Sequence, residues 1–309
     1  MTENTAYEES LSHLLEEINI SNIKDSLQKS DFKKLERAHD STHEFMLLAP
    51  YSFPITEEKW HAKSAFLIYH WEAFHKAHRS LLEALTGHYN SGYILLRSCL
   101  ENLLRGALWE CLAHKKFRED ADVIKEKAGT KIGDTKKTIL DWINGLIERE
   151  PSIEKDLENT SGGIFDKIAP LFEDADLRDL IPYPKTTLQQ LREWGILEAI
   201  SNPVEEIYED LYSELSADVH VIPDATDIGR RLLSESEENI FQVKVNLNEL
   251  MRFTEILHRV IDIGIVIELN VLEDWIKKSE DARKNLRKRQ PTIENLELEF
   301  SSEKLRKLI

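Results

Sequence analysis

Backbone punctuation is sparse in this chain. Eleven glycines and nine prolines are spread over 309 residues, too few for the many turns of a β-rich fold. Cysteine is nearly absent. Cys99 and Cys111 lie on one predicted helix, about 18 Å apart by helical rise, so they cannot bridge each other. Neither a disulfide framework nor a cysteine zinc motif can be built. Positive charge is in deficit, with 40 Lys and Arg against 57 Asp and Glu and a formal charge of −17. A fold-wide basic footprint for nucleic acid is excluded. Long apolar runs are missing too. The most apolar one, "RVIDIGIVIELNVLEDW", carries Asp262, Glu268, Glu273 and Asp274, which suits a buried helix and not a membrane span. The polar, acidic start "MTENTAYEES" does not read as a signal peptide. The expectation is a cytoplasmic protein with no membrane segment. There is no G-x-G-x-x-G, P-loop, G-x-S-x-G elbow or H-E-x-x-H.

What is present is helical periodicity. The fold expected is all-α: an irregular helical bundle built around a long antiparallel hairpin and a central C-terminal helix. Residues 1–50 read as an N-terminal helical segment, with breaks near Asn22 and Ser30. Residues 57–278 read as the main bundle. Its hairpin runs over 57–86 and 91–114, with Gly87 as the C-terminal signal and Asn90 as the next N-cap. A polar insertion, lid-like in character, occupies about 116–200. Asn202 and Pro203 open a helix that runs to His220. "FQVKVNL" alternates like a short strand, and one long helix follows over 246–278. Residues 279–309 read as a basic and then acidic tail.

The stretch "SGYILLRSCLENLLRGALWECLAH" poses a problem. At about 100° per residue, Arg97 and Glu101 fall within the apolar arc of Leu96, Leu100, Leu103, Leu104, Ala107, Leu108 and Cys111. Ser98, Asn102, Arg105 and Gly106 form the polar arc. Arg97 and Glu101 are four apart and can touch. Charges inside an apolar arc must be paired and hydrogen-bonded. The preceding helix repeats the pattern: His70 and His78 lie on its stripe of Trp60, Leu67, Trp71, Phe74, Leu82 and Leu85. Opposed in a hairpin, Arg97, Glu101, His70 and His78 can share one interior. A third element, "YEDLYSELSADVHVIPD", spaces Tyr212, Ser216 and His220 by four. His220 sits near the helix end, where the dipole favours its charged form.

"SGYILLRSCLENLLRGAL" resembles the "sG..lLRs.lE.l.r" helix of an uncharacterised prokaryotic all-helical family. "YSELSADVH" resembles the "Y..LS..vH" signature found later in those chains. The family is similar to HEPN-like and abortive-infection-type helical domains, which occur among RNA-cutting toxins and phage-defence proteins. The resemblance covers roughly residues 60–115 and 203–270. It implies Arg97, Glu101, Ser216 and His220 as site residues, with His220 as general acid/base and Arg97 on a phosphate. It also implies RNA or a nucleotide as ligand and a homodimer. Catalytic HEPN domains carry an arginine separated from the histidine by four to six intervening residues. Ser213, Glu214 and Leu215 stand in that region here. Arg37–His43 and Arg252–His258 fit the spacing, but Ala38 and Phe253 follow their arginines where a polar residue belongs.

Two further readings stay open. One is a non-enzymatic partner-binding or structural helical module, in which His70, His78 and Tyr212 support a polar interior. The other is a carboxylate–histidine metal bundle. Glu36–His39, Asp40–His43, Glu58–His61, Glu72–His75 and Glu255–His258 all carry the carboxylate-x-x-His spacing, although pairing along helix surfaces accounts for them as well. No cofactor and no defined metal ligand set is expected. Lys277, Lys278, Arg283, Lys284, Arg287, Lys288 and Arg289 place seven positive charges within thirteen residues. That cluster suits docking of RNA or an acidic protein partner.

Overall fold

The computed structural model describes residues 20–52, 64–113, 183–217 and 245–309, with Glu8 and Ser12. Among them there is no strand. The helices are α1 (Ile20–Lys29), α2 (Phe32–Ser52), α3 (Ala65–Leu85), α4 (Tyr89–Ala113), α5 (Pro184–Glu193), α6 (Val204–Tyr212 and Ser213–Ala217), α7 (Leu247–Val271), α8 (Glu273–Lys278), α9 (Glu280–Asn295) and α10 (Glu299–Leu308). This is the expected all-α bundle. No described helix is long and apolar enough to cross a membrane.

The α3–α4 hairpin forms as the spacing predicts. Thr86, Gly87 and His88 close the end of α3, with Gly87 N–H on the Ala84 carbonyl and His88 N–H on the Glu83 carbonyl. Gly87 takes φ 92, a left-handed conformation in which a Cβ is costly. Asn90 is not a cap, because α4 already begins at Tyr89. At its other end α3 is capped twice over. Leu67 N–H donates to the Ser64 hydroxyl, and Ser64 Oγ and Phe66 N–H both donate to the buried Glu110 carboxylate of α4.

The central helix is α7, packed against α2, α3, α4 and α10. It is buried from Val260 to Val271. Asn246 caps it through the amides of Asn248 and Glu249, so the end of the alternating "FQVKVNL" stretch is a helix start. Residues 241–244 of that stretch lie outside the described residues. The expected single helix over 246–278 breaks at Leu272, and α8 begins at Glu273. Similarly, the chain breaks at Ser30 as expected, whereas Asn22 lies within α1.

The segment read as a tail packs into the bundle. Ala282, Leu286, Ile293, Leu296, Leu298 and Leu305 are buried. Leu298 precedes α10 and has no oxygen to cap it. The buried Asp262 of α7 does so across 38 residues, accepting from Phe300 N–H at 3.0 Å and Ser301 N–H at 2.9 Å. Such a cap is worth about 1 kcal/mol. Arg289 pairs with the buried Glu44 and ties α9 to α2, and Lys304 pairs with Glu273 at 2.6 Å. The last part of the expected polar insertion is core material too: Leu188, Leu191, Ile196, Leu197 and Ile200 are buried. The rest of it lies outside the described residues.

Candidate functional site

Three helices position the polar residues. In α4, Tyr93, Arg97, Glu101 and Arg105 follow each other at the four-residue spacing that stacks side chains along one face. Opposite them stands α6. Arg97 Nε donates to Glu101 Oε1 at 3.1 Å, and Arg97 Nη2 donates to the Tyr212 hydroxyl at 2.8 Å. The Tyr212 hydroxyl donates in turn to Glu101 Oε1 at 2.8 Å. Arg105 Nη2 reaches Glu101 Oε2 at 3.4 Å. The guanidinium of Arg97 also lies over the Tyr212 ring, 4.8 Å from its centroid. Thus Arg97, Glu101 and Tyr212 form a closed triangle of charge-assisted hydrogen bonds. Among the described residues, buried Arg97 Nη1 has no hydrogen-bond partner.

The helical wheel and the structure differ about where this face points. Asn102 and Gly106 are buried, although the wheel puts them on the wet side. Arg97, Glu101 and Arg105 are the more open side chains, with 18%, 19% and 35% of their area exposed. Ile94, on the same strip, is 46% exposed. The reason is tertiary. Helices α3, α5 and α7 all pack against α4, and α3 comes so close that a Cβ on Gly106 would meet Tyr69 Cβ at 2.7 Å. Among the described residues, the Ile94–Arg97–Glu101–Arg105 strip faces α6 and solvent.

A second aromatic extends the triangle. The rings of Tyr208 and Tyr212 stack at 5.3 Å with 12° between planes. Lys185 Nζ of α5 lies 5.3 Å from the Tyr208 centroid, so a cation caps each end of the tyrosine pair. Burial first, and then Glu101 accepting its proton, push the Tyr212 hydroxyl up to about 12. It is therefore a proton donor at neutral pH and not an ionised base. Ser216 donates to the Tyr212 backbone carbonyl four residues earlier, which directs its proton into its own helix. His220 lies outside the described residues.

The expected sharing of one interior by Arg97, Glu101, His70 and His78 is not what forms. His70 and Glu268 are both fully buried, with His70 Nδ1 2.9 Å from Glu268 Oε2 between α3 and α7. Their alignment is poor, and all four heteroatoms lack a hydrogen-bond partner among the described residues. Phe45 packs on the His70 ring at 4.2 Å. His78 is half-buried and sits 6.0 Å from the Phe74 ring. Glu268 was legible only as a charge interrupting an apolar run; its signal was an acid with no polar neighbour at helical spacing. Lys185 and Tyr208 carried no signal in sequence, because their roles depend on α5 and α6 meeting.

The basic cluster is mostly occupied. Lys277 bonds Glu273, Arg283 bonds Glu280 and the Lys277 carbonyl, Arg287 lies 3.7 Å from Glu280, and Arg289 bonds Glu44. Lys278, Lys284 and Lys288 are exposed and make no ion pair among the described residues. The carboxylate-x-x-His spacings build no ligand set among the described residues. Glu255 pairs with Lys34 at 2.5 Å, and His258 Nε2 bonds the Leu296 carbonyl at 2.9 Å. Glu58 and His61 lie outside the described residues. Among the described residues, no three His, Cys, Asp or Glu side chains are arranged to hold a metal ion. Cys99 and Cys111 are buried free thiols. The chain matches no family model, no curated protein and no solved structure.

Proposed function

We propose that the protein is a helical partner-binding module that works without catalysis. The observation that carries this reading is that Arg97, Glu101 and Tyr212 commit most of their hydrogen-bonding groups to one another. A phosphate-binding arginine needs free donors, and a general base needs an uncommitted lone pair aimed at substrate. Here the guanidinium spends Nε and Nη2 on its own fold, and Ser216 spends its proton on its own helix. Polar groups held this way fix which helices meet and in what register. The exposed, unpaired Lys278, Lys284 and Lys288 suit an acidic protein partner.

A second reading keeps the HEPN-like resemblance: an RNA- or nucleotide-directed protein of prokaryotic defence, acting as a homodimer. Arg97 Nη1, which has no partner among the described residues, favours it. A ribonuclease assay on single-stranded RNA separates the two, with wild type, Arg97→Ala and His220→Ala compared. The binding-module reading expects no cleavage by wild type, and a loss of about 1–3 kcal/mol of stability in Arg97→Ala. Cleavage by wild type that both variants abolish would overturn it in favour of the second reading. Cleavage that both variants retain would remove Arg97 and His220 from the chemistry.

A further inference from the structure

We infer that α6 is a two-register helix, whose π register is held by its polar contacts and whose α register would uncover Arg97 and Glu101. The inference goes beyond the partner-binding reading and does not depend on it.

Residues Val204–Tyr212 form a π-helix and Ser213–Ala217 an α-helix. Nine π-helical residues are unusual, since π turns mostly occur singly and often at functional sites. The sequence explains the choice only in part. Pro203, Ile207, Leu211 and Leu215 are all buried and spaced by four, and Tyr208, Tyr212 and Ser216 form a second row with the same spacing. An α-helix advances such a row by about 40° per step. A π-helix, at about 4.4 residues per turn, sets it back by about 33° per step. Over three steps the apolar row would therefore drift about 120° one way or about 100° the other. Neither winding alone keeps Pro203, Ile207, Leu211 and Leu215 on one face. The apolar row is close to indifferent between the two, and a mixed helix suits it best.

Polar contacts then decide. Ser213 N–H is shared between the Tyr208 carbonyl, the i to i+5 bond of the π register, and the Asp210 carbonyl, whereas Glu206 N–H donates to the Asn202 carbonyl at the α spacing. Arg259 Nη2 of α7 donates to the Glu206 carbonyl at 2.8 Å. The Tyr212 hydroxyl is locked between Arg97 and Glu101. Arg252 of α7 binds Glu214 through Nε at 2.9 Å. The contacts from Arg259, from Arg97 and Glu101, and from Arg252 come from other helices and hold α6 from outside. Rewinding Val204–Tyr212 as α would turn Tyr212 by about 145° relative to Val204, away from Arg97. The guanidinium and the Glu101 carboxylate would then face the open strip that already exposes Ile94 and Arg105. Two packings of one element that differ by a few polar contacts make a bistable device.

The test reads the register directly, in the free full-length protein. NMR coupling across the hydrogen bond identifies which carbonyl carbon the Ser213 amide nitrogen is bonded to. In wild type the coupling runs to Tyr208. In Tyr212→Phe combined with Arg259→Met it should move to Glu209, while amide protection in the cores of α4 and α7 stays unchanged. Retention of the Tyr208 coupling in the variant overturns the inference. So does its loss without a Glu209 coupling, which is fraying, or a parallel loss of protection in α4 and α7, which is global destabilisation.

Discussion

At the scale of single residues, the costliest groups are those that the bundle buries without good partners. His70 and Glu268 have no exposed side-chain area and no well-formed hydrogen bond among the described residues. Removing one leaves the other stranded in an apolar core, and the expected loss for His70→Ala is about 3–5 kcal/mol. The double variant His70→Leu with Glu268→Met should recover most of that loss, because it removes both desolvated groups at similar volume. Urea unfolding of the single and double variants checks this, and additive losses would rule it out. His258 makes a pH prediction. Burial chiefly holds its pKa below the ordinary 6.5, against the raising effect of the Leu296 carbonyl. Below 6.5 the unfolded chain therefore binds more protons than the folded one, and stability falls as the pH drops. His258→Gln keeps an N–H for Leu296 and does not titrate. Its stability should depend less on pH in that range, and an unchanged slope would exclude His258 as the cause.

At the scale of elements, the decisive contacts are close approaches and borrowed caps. Gly106 lets α3 pack directly on α4, with Tyr69 Cβ in the space where a side chain would sit. Backbone-adjacent atoms cannot swing aside as a long side chain can. Gly106→Ala should therefore cost about 1–3 kcal/mol, despite the better helix propensity of alanine. A melting temperature equal to or above wild type would show that the hairpin has slack. The hairpin itself was legible from the apolar periodicity, Gly87 and the short link. The orientation of α4 was not. A wheel ranks faces by the residues they carry, and a glycine that admits a neighbouring helix looks on it like a gap in a wet face.

At the scale of the whole molecule, the C-terminal helices close the bundle. Asp262, deep in α7, accepts from the first turn of α10, and Glu44 holds Arg289 of α9. Truncation after Lys278 would uncover the partners of Leu286, Ile293, Leu298 and Leu305. It would also leave Asp262 and Glu44 buried or half-buried with nothing to bind. The expected result is loss of cooperative thermal unfolding, read by calorimetry. A sharp transition near the wild-type temperature would mean that α9 and α10 are dispensable.

Much of this protein was determined by local order alone. Scarce glycine and proline with sustained 3.6-residue periodicity dictate an all-α chain, and two cysteines on one helix preclude a bridge. Arg97 and Glu101 had to be paired because they lie four apart among leucines. What only the tertiary structure decided is which polar groups meet. The four-residue rows of α6 fit α and π winding about equally, and contacts from α4 and α7 choose between them. Glu268 finds His70, Asp262 finds α10, and Tyr212 finds Arg97 across gaps of 38 to 198 positions in the chain. Hydrophobic burial carries a period that can be read from sequence. The pairing of buried polar groups carries none, because it depends on the crossing of helices that are distant in the chain.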